Sequence, residues 1–284
     1  MRVLVTGADG QLGRDTVLAC AAAGDEVFAA GRAQLDVVDR DAVLGAITST
    51  RPDAVVHCAA WTAVDNCETD PDRAFAANAL AVRWVAEASA RVSAHLVHIS
   101  TDYVFDGTKT EPYQEWDTPN PQSVYGASKL AGEREALALG ASATVVRTSW
   151  VCGEYGNNMV KTIMRLAGER DEIAFVDDQM GHPSFCADLA PMIRRLALDR
   201  RSGIHHVTNQ GPVSWFEFAR SVVEAMGRSP EMVKPIATAS LQPPRPAKRP
   251  ANSVLDNAVL RRGGIELLPD FRKSLATLVA RLSA

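Results

Sequence analysis

Cysteine is scarce and unpatterned in this chain. Its 284 residues hold 5 Cys, at positions 20, 58, 67, 152 and 186. An odd number with no Cys-x-x-Cys pair excludes a disulfide framework and offers no zinc-cluster spacing. The histidines, His57, His95, His98, His182, His205 and His206, form no His-Glu-x-x-His pattern. Those in apolar runs are expected to be packed rather than ligating, so no metal is expected. Positive charge is not in excess either. Lys and Arg number 30 against 34 Asp and Glu, a net charge of −4, which removes the electrostatic footprint of a nucleic-acid partner. No apolar run is long enough to span a bilayer. The N-terminus lacks a charged segment ahead of an apolar one, so no signal peptide is expected, and no membrane partner. These absences leave a reducing, cytoplasmic setting. What is present, 46% hydrophobic and 23% charged residues, suits a soluble globular protein of one large domain or two smaller ones.

The first half alternates short apolar runs with helical patterns. Strands are expected at Arg2–Thr6, Glu26–Ala30, Ala54–His57, His95–Ser100 and Ala143–Arg147. Between them the periodicity predicts a helix from Gln11 to Ala23, with Leu12, Val17, Leu18 and Ala21 inward. A second helix is capped by Asp39 and ends near Arg51-Pro52, since proline disfavours helix at the residue before it. A long helix follows Asp70-Pro71, and another runs from about Tyr125 to Leu139. Near-continuous apolar strands alternating with helices mean a parallel, doubly wound α/β sheet covered on both faces. The second half is less regular, with helices near Met159–Glu169, Ala187–Leu198, Trp215–Met226 and Phe271–Leu282. The proline-rich stretch from Gln242 to Pro250 is expected to be an extended loop packed on the body. Residues 1–150 are assigned to a dinucleotide-binding domain, with about 187–205 returning to it. Residues 151–284 form mainly a smaller α+β substrate-binding domain.

The first strand runs into Thr6-Gly-Ala-Asp-Gly-Gln-Leu-Gly13 and then a helix. Gly7, Gly10 and Gly13 permit a tight turn and close backbone approach to a pyrophosphate, which the N–H groups of the following helix then receive. The spacing is Gly-x-x-Gly-x-x-Gly. A dinucleotide site often has a carboxylate at the end of the second strand for the ribose 2′-hydroxyl. Here that strand ends Ala29-Ala-Gly-Arg32. Arg32 is placed to pair with a 2′-phosphate, which points to NADPH and leaves NADH admissible.

Tyr125-Gly-Ala-Ser-Lys129 opens a helix, and this spacing puts both side chains on one face. A lysine cation near a tyrosine lowers its pKa and makes it a usable proton donor near neutrality. With only 4 Tyr in the chain, a chance pair at this spacing is uncommon. The fourth strand ends Ser100-Thr-Asp-Tyr-Val-Phe105, at the end of the sheet where ligands of open α/β folds bind. Either Ser100 or Thr101 can project a hydroxyl there.

Taken together, these features resemble the extended short-chain dehydrogenase/reductase family. The chain is more narrowly similar to the dTDP-4-dehydrorhamnose reductase family. The segments that carry the resemblance are Gly10-Gln-Leu-Gly13, Leu35-Asp-Val-Val-Asp39, Ala59-Ala-Trp-Thr-Ala-Val-Asp65, Ser100-Thr-Asp-Tyr-Val-Phe-Asp-Gly107, Val124-Tyr-Gly-Ala-Ser-Lys-Leu-Ala-Gly-Glu133, Arg147-Thr-Ser-Trp-Val151 and Arg249-Pro-Ala-Asn-Ser253. The resemblance implies a Rossmann-type fold and NADPH-dependent reduction of the C4 ketone of a dTDP-4-keto-6-deoxy sugar. It makes Thr101 the active-site threonine and Tyr125 the general acid. Lys129 tunes the tyrosine and holds the nicotinamide ribose. Gln11, Leu12, Asp36, Ala59, Ala60 and Asn78 join the cofactor site, and Asp102, Trp150 and Arg249 the substrate site, Arg249 toward the diphosphate. A homodimer is also implied. Trp61, Val151-Cys-Gly153 and Met180-Gly-His-Pro-Ser184 depart from the family's usual residues.

Other readings stand beside this one. A dehydratase or epimerase on the same fold would need an acid/base pair after the threonine, and Tyr103 follows Asp102 instead. A reductase of a specialised deoxysugar pathway shares every motif. A non-catalytic regulatory subunit similar to methionine adenosyltransferase beta would not need Thr101, Tyr125 and Lys129 together. Asp177-Asp178 is expected to be a solvated turn. Trp215, Phe216 and Phe218 are expected in the core of the second half rather than in a stacking platform.

Overall fold

The computed structural model describes residues 1–138 and 142–283. In the first half β1 (Arg2–Thr6), α1 (Gln11–Ala22), β2 (Glu26–Ala30), α2 (Arg40–Thr50), β3 (Ala54–His57), α3 (Val64–Thr69) and α4 (Pro71–Phe75) follow one another. A π-helical turn (Ala76–Leu80), α5 (Ala81–Arg91), β4 (His95–Thr101), α6 (Val124–Ala138) and β5 (Ala143–Thr148) complete it. The second half adds β6 (Val151–Cys152), α7 (Met159–Glu169), β7 (Ile173–Val176), β8 (Met180–Gly181), β9 (Ser184–Phe185) and α8 (Cys186–Leu198). It ends with β10 (Gly203–His206), β11 (Val213–Ser214), α9 (Trp215–Ala225), β12 (Val233–Ile236), α10 (Ala258–Arg262) and α11 (Phe271–Ser283).

Among the described residues, six strands pair in parallel in the order β10-β5-β4-β3-β1-β2. From β1 the chain winds one way to β2 and the other way to β3, β4 and β5. This is a doubly wound, Rossmann-type sheet with its switch point between β1 and β3. Alternate residues of each strand face opposite layers. Val3, Val5, Val56, Val97 and Val146 pack under α1 and α8, and Leu4, Val55, Leu96 and Val145 pack under α2 and α5. Both faces are dry, which is why the strands lack polar alternation. A separate core gathers Val160, Ile163, Phe218, Val222, Phe271 and Leu275 from α7, α9 and α11. No helix among the described residues is long and apolar enough to cross a membrane.

Several expectations need adjustment. The buried stripe of α1 is Leu12, Thr16 and Cys20, and Leu18 is 49% exposed. In so alanine-rich a helix, contact with α8 rather than periodicity chooses the inner face. The helix expected after Asp70-Pro71 is α4, the π turn and α5 in series. Asp70 caps it by accepting from Arg73 N at 3.2 Å. The expected end of α6 at Leu139 lies outside the described residues. The proline-rich stretch lies against the body, where Ala247 N donates to Asp65 Oδ1 at 3.1 Å.

One ion pair ties α6 to the sheet. Arg147 Nε and Nη2 donate to Glu133 Oε1 and Oε2 at 2.8 and 2.6 Å, with side chains 1% and 3% exposed. Ser100 Oγ adds a hydrogen bond to Glu133 Oε1 at 2.5 Å. Removing one partner strands a buried charge, which costs about 3–5 kcal/mol, whereas replacing both by apolar groups is often neutral. Arg147→Met is therefore expected to lower unfolding free energy by about that amount. Adding Glu133→Leu is expected to restore much of it. Urea denaturation of the two variants checks both statements.

Candidate active site

The glycine loop is shaped by close backbone contacts. Gly7 has φ +65°, a conformation that L side chains rarely adopt. A Cβ there would lie 2.6 Å from Ala59 N, and one at Gly13 would lie 2.1 Å from Gly7 O. Gly10 N donates to Gly7 O at 3.0 Å, closing the turn. Gly10 also begins α1 without a side-chain cap. The first-turn N–H groups are thus left for an anion, favoured there by the helix dipole.

A cavity of ≈ 370 Å³ opens beside this loop, lined by Gly7, Gly10, Arg32, Asp36, Ala59 and Ala60. Arg73 lies over the Trp61 ring, 4.5 Å from its centroid, at the same cavity. Asn78 does not line it. The buried amide accepts from Trp61 N at 2.8 Å and donates to Trp61 O at 3.1 Å and to Ser128 Oγ at 3.0 Å. It holds the loop that forms the cavity wall. Asp9 was missed by reading the end of the second strand alone. Its Oδ2 sits 1.7 Å from where a Cβ on Gly31 would be, so the glycine loop brings a carboxylate to the end of β2.

A second cavity of ≈ 440 Å³ meets the first at Gly10, Cys58 and Ala60. Gln11, Leu12 and Gly13 line its near side, and Thr101, Asp102, Tyr125, Lys129 and Trp150 line the rest. Three consecutive residues at the end of β4 have separate duties. Lys129 Nζ donates to Ile99 O at 2.6 Å. Ser100 is committed to Glu133. Thr101 is left at the cavity, donating to Asp102 Oδ1 at 2.9 Å. The choice left open between Ser100 and Thr101 is thereby made by what each hydroxyl touches.

Burial sets the electrostatics. It pulls Lys129 down to about 8, with Glu133 acting the other way. It pushes the Tyr125 phenol above its ordinary value, which corrects the expected lowering by Lys129: in the resting site desolvation outweighs the cation. It pushes Asp102 up to about 6, against the hydrogen bond from Thr101. Asp102 Oδ2 is buried without a hydrogen-bond partner, which adds to the cost of its charge.

Two aromatic residues close the far side. The indoles of Trp150 and Trp215 are stacked, with centroids 3.6 Å apart and planes 9° apart. Trp215 packs against the second-half core as expected, with Phe216, but it also lines the cavity, which corrects the expectation that it forms no stacking platform; the contact joins residues far apart that no local periodicity encodes. Phe218 is fully buried, as expected. Gly181 is required by Trp150, since a Cβ there would lie 2.6 Å from Trp150 Cε2. Arg249 lines neither cavity. Its Nη1 and Nη2 donate to Asp65 Oδ1 and Oδ2, each at 2.7 Å, so its charge is already matched. Asp177 and Asp178 are exposed but tie segments together, accepting from Ser214 Oγ at 2.5 Å and Thr238 Oγ1 at 2.6 Å.

The family model described as RmlD substrate binding domain matches residues 1–284. The chain belongs to this family. A dTDP-4-dehydrorhamnose reductase of Streptomyces griseus is 42% identical over 280 residues, covering 96% of this chain and 91% of its own. A probable dTDP-4,6-dihydroxy-2-methyloxan-3-one 4-ketoreductase of Streptomyces antibioticus is 41% identical over 279 residues, 97% of this chain and 93% of its own. The crystal structure of dTDP-4-dehydrorhamnose reductase from Bacillus anthracis in complex with NADP superposes with TM-score 0.94 and 39% identity, covering 99% of both chains. The family match spans both halves, so the two cavities belong to one shared architecture.

Asp102 makes stability depend on pH in a particular direction. The folded state holds its proton more tightly than the unfolded chain, whose carboxyl titrates near the ordinary value of 3.8. Its contribution is therefore full below about 4 and is lost as pH rises through about 6. Asp102→Asn is expected to remove this fall, so variant and wild type diverge in the variant's favour as pH rises. Urea midpoints measured across that range check it. Parallel curves would refute the assignment.

Proposed function

We propose that the protein reduces the C4 ketone of a dTDP-linked 4-keto-6-deoxy sugar with NADPH. The observation that carries this reading is the meeting of Thr101, Tyr125 and Lys129 in a cavity continuous with the one beside the glycine loop. The cofactor fits the residues present. A Cβ at Gly7 or Gly13 would fill the cradle, and the uncapped start of α1 faces a pyrophosphate. Gly10, Gln11, Leu12, Asp36, Ala59 and Ala60 would flank it, and Asn78 keeps the Trp61 loop in place. When bound, NADPH supplies the hydride.

The chain supplies the rest. Thr101, turning its proton from Asp102 Oδ1 to the carbonyl oxygen, donates a hydrogen bond that draws charge onto it. Tyr125 gives its Oη proton to that oxygen as it becomes an alkoxide. The Lys129 cation, at the same cavity, favours the phenolate that forms after transfer. Asp102, lining the cavity beside Thr101, marks the polar end of the sugar site, and Trp150 offers an apolar wall. Arg249 reaches a diphosphate only by exchanging Asp65 for it. Residues 1–150, with about 187–205, hold the cofactor, and the remainder holds the sugar nucleotide. A homodimer and a cytoplasmic setting complete the reading, supported by exposed Phe75, Leu80 and Leu137 and by five free thiols. The likeness to the Streptomyces antibioticus ketoreductase favours a second reading, a reductase of a specialised deoxysugar pathway. Turnover of several dTDP-4-keto sugars with NADPH, with NMR of each product, separates the two and tests both.

Tyr125→Phe is expected to lower kcat by about 10²–10⁴-fold while NADPH still binds. A rate within about threefold of wild type would remove Tyr125 from the general-acid role. Arg32 is exposed and shares its cavity with Asp9, so its pairing with a 2′-phosphate is screened and opposed. A modest preference for NADPH over NADH is expected, shrinking with salt and in Arg32→Ala. The ratio of kcat/KM for the two cofactors, at low and high ionic strength, measures it.

A further inference from the structure

We infer that Trp215 is a positioning residue for substrate: it holds the Trp150 indole as a fixed wall for the C–H face of the sugar ring. This rests on the reading of the second cavity as the sugar site. Trp150 carries two disfavoured features at once. Its φ is +46°, a left-handed conformation that costs a bulky side chain energy. Its ring also lies nearly face to face on Trp215, centroids 3.6 Å apart, although aromatic quadrupoles favour offset or edge contacts. Such features persist only where the surroundings over-determine them, and they gather at ligand clamps.

The surroundings here do over-determine the ring. Ser149 Oγ, one residue earlier, donates to His182 O at 2.7 Å. Gly181 backs the indole edge so closely that a Cβ would lie 2.8 Å from Nε1. The residues on either side of this cradle share one ladder, with Val213 opposite Gly181 and Ser214 opposite Met180 in β11 and β8. Trp215 follows at once as the first residue of α9, whose cap Ser214 accepts from Glu217 N at 3.1 Å. One turn on, buried Phe218 fixes the helix, 5.9 Å from Trp215. The second half thus grips Trp150 by a face and an edge. Both indoles reach the cavity that holds Thr101 and Tyr125. A rigid, flat, apolar surface there complements the C–H face and methyl group of a 6-deoxy pyranose, with no rotamer freedom left to lose on binding.

The test is a double-variant cycle on kinetics. Wild-type turnover of a dTDP-4-keto-6-deoxy sugar with NADPH is measured first, so failure of the proposed reaction appears there. Failure of the Trp215 role appears only in the variants. Trp215→Ala is expected to raise KM for the sugar nucleotide about tenfold, with a several-fold smaller change in kcat. NADPH affinity is expected to stay the same, and the far-ultraviolet exciton couplet of the stacked indoles to vanish. Trp215→Phe restores most of KM. Trp150→Ala raises KM as much, and the double variant no further, because Trp215 acts through Trp150. Trp215→Leu keeps apolar volume without the stack and decides the matter should the alanine variant not fold. An unchanged KM in the variants that lose the couplet, or additive losses in the double variant, would overturn the inference.

Discussion

A carboxylate and a guanidinium that cannot reach water fix the position on which the site depends. Glu133 sits on α6 at the same helical face as Tyr125 and Lys129, two turns on from the first and one from the second. Its bidentate contact with Arg147 on β5 sets how far α6 is rotated over the sheet. The consequence is visible at the end of β4, where each residue has its own duty. The Ile99 carbonyl receives Lys129, the Ser100 hydroxyl receives no task but Glu133, and Thr101 is left for the cavity. A small rotation of α6 would exchange these roles. Burying two charges is a poor way to gain stability, and here the pair fixes register between helix and sheet.

The second constraint is the switch point. Because β2 and β3 lie on opposite sides of β1, the loops after β1 and β3 leave the sheet beside one another. They approach until Gly7 nearly touches the Ala59 backbone. That contact makes the groove floor, and it explains why the two cavities join at Gly10, Cys58 and Ala60. The same geometry places Asn78, which holds the loop after β3 through both Trp61 N and Trp61 O and ties it to Ser128 on α6.

What could be read from the sequence follows from the range of the interactions. The glycine loop, the strand series and the Tyr125–Lys129 spacing are local patterns, and each is found where its period puts it. Residues whose duty is set by partners far along the chain were misread or unseen. Trp215 looks like a core aromatic because its helix is amphipathic, and only pairing of β11 with β8 reveals the stack. Arg249 looks free because Asp65 is distant in sequence. Asp9 looks like a turn residue until Gly31 is seen to make room for it. The inner face of α1 was misjudged at Leu18 because alanines leave the stripe ambiguous.

Desolvation moves each ionisable group in the cavity toward its neutral form: Lys129 down to about 8, Asp102 up to about 6, and the Tyr125 phenol upward. Near neutrality Lys129 still holds its proton in most molecules, and Tyr125 holds its own. The cavity therefore presents a proton on Tyr125, a hydrogen bond from Thr101 and a cation behind them. An oxygen gaining negative charge between Thr101 and Tyr125 is stabilised by all three, whereas a neutral carbonyl gains much less. In a site shielded from water that difference is large, and it is the difference between the two states that accelerates a reaction. The arrangement thus favours an oxyanion over a neutral carbonyl, and the packing of Tyr125 against Cys67, Ala74, Trp61 and Tyr103 is what keeps the preference from being screened.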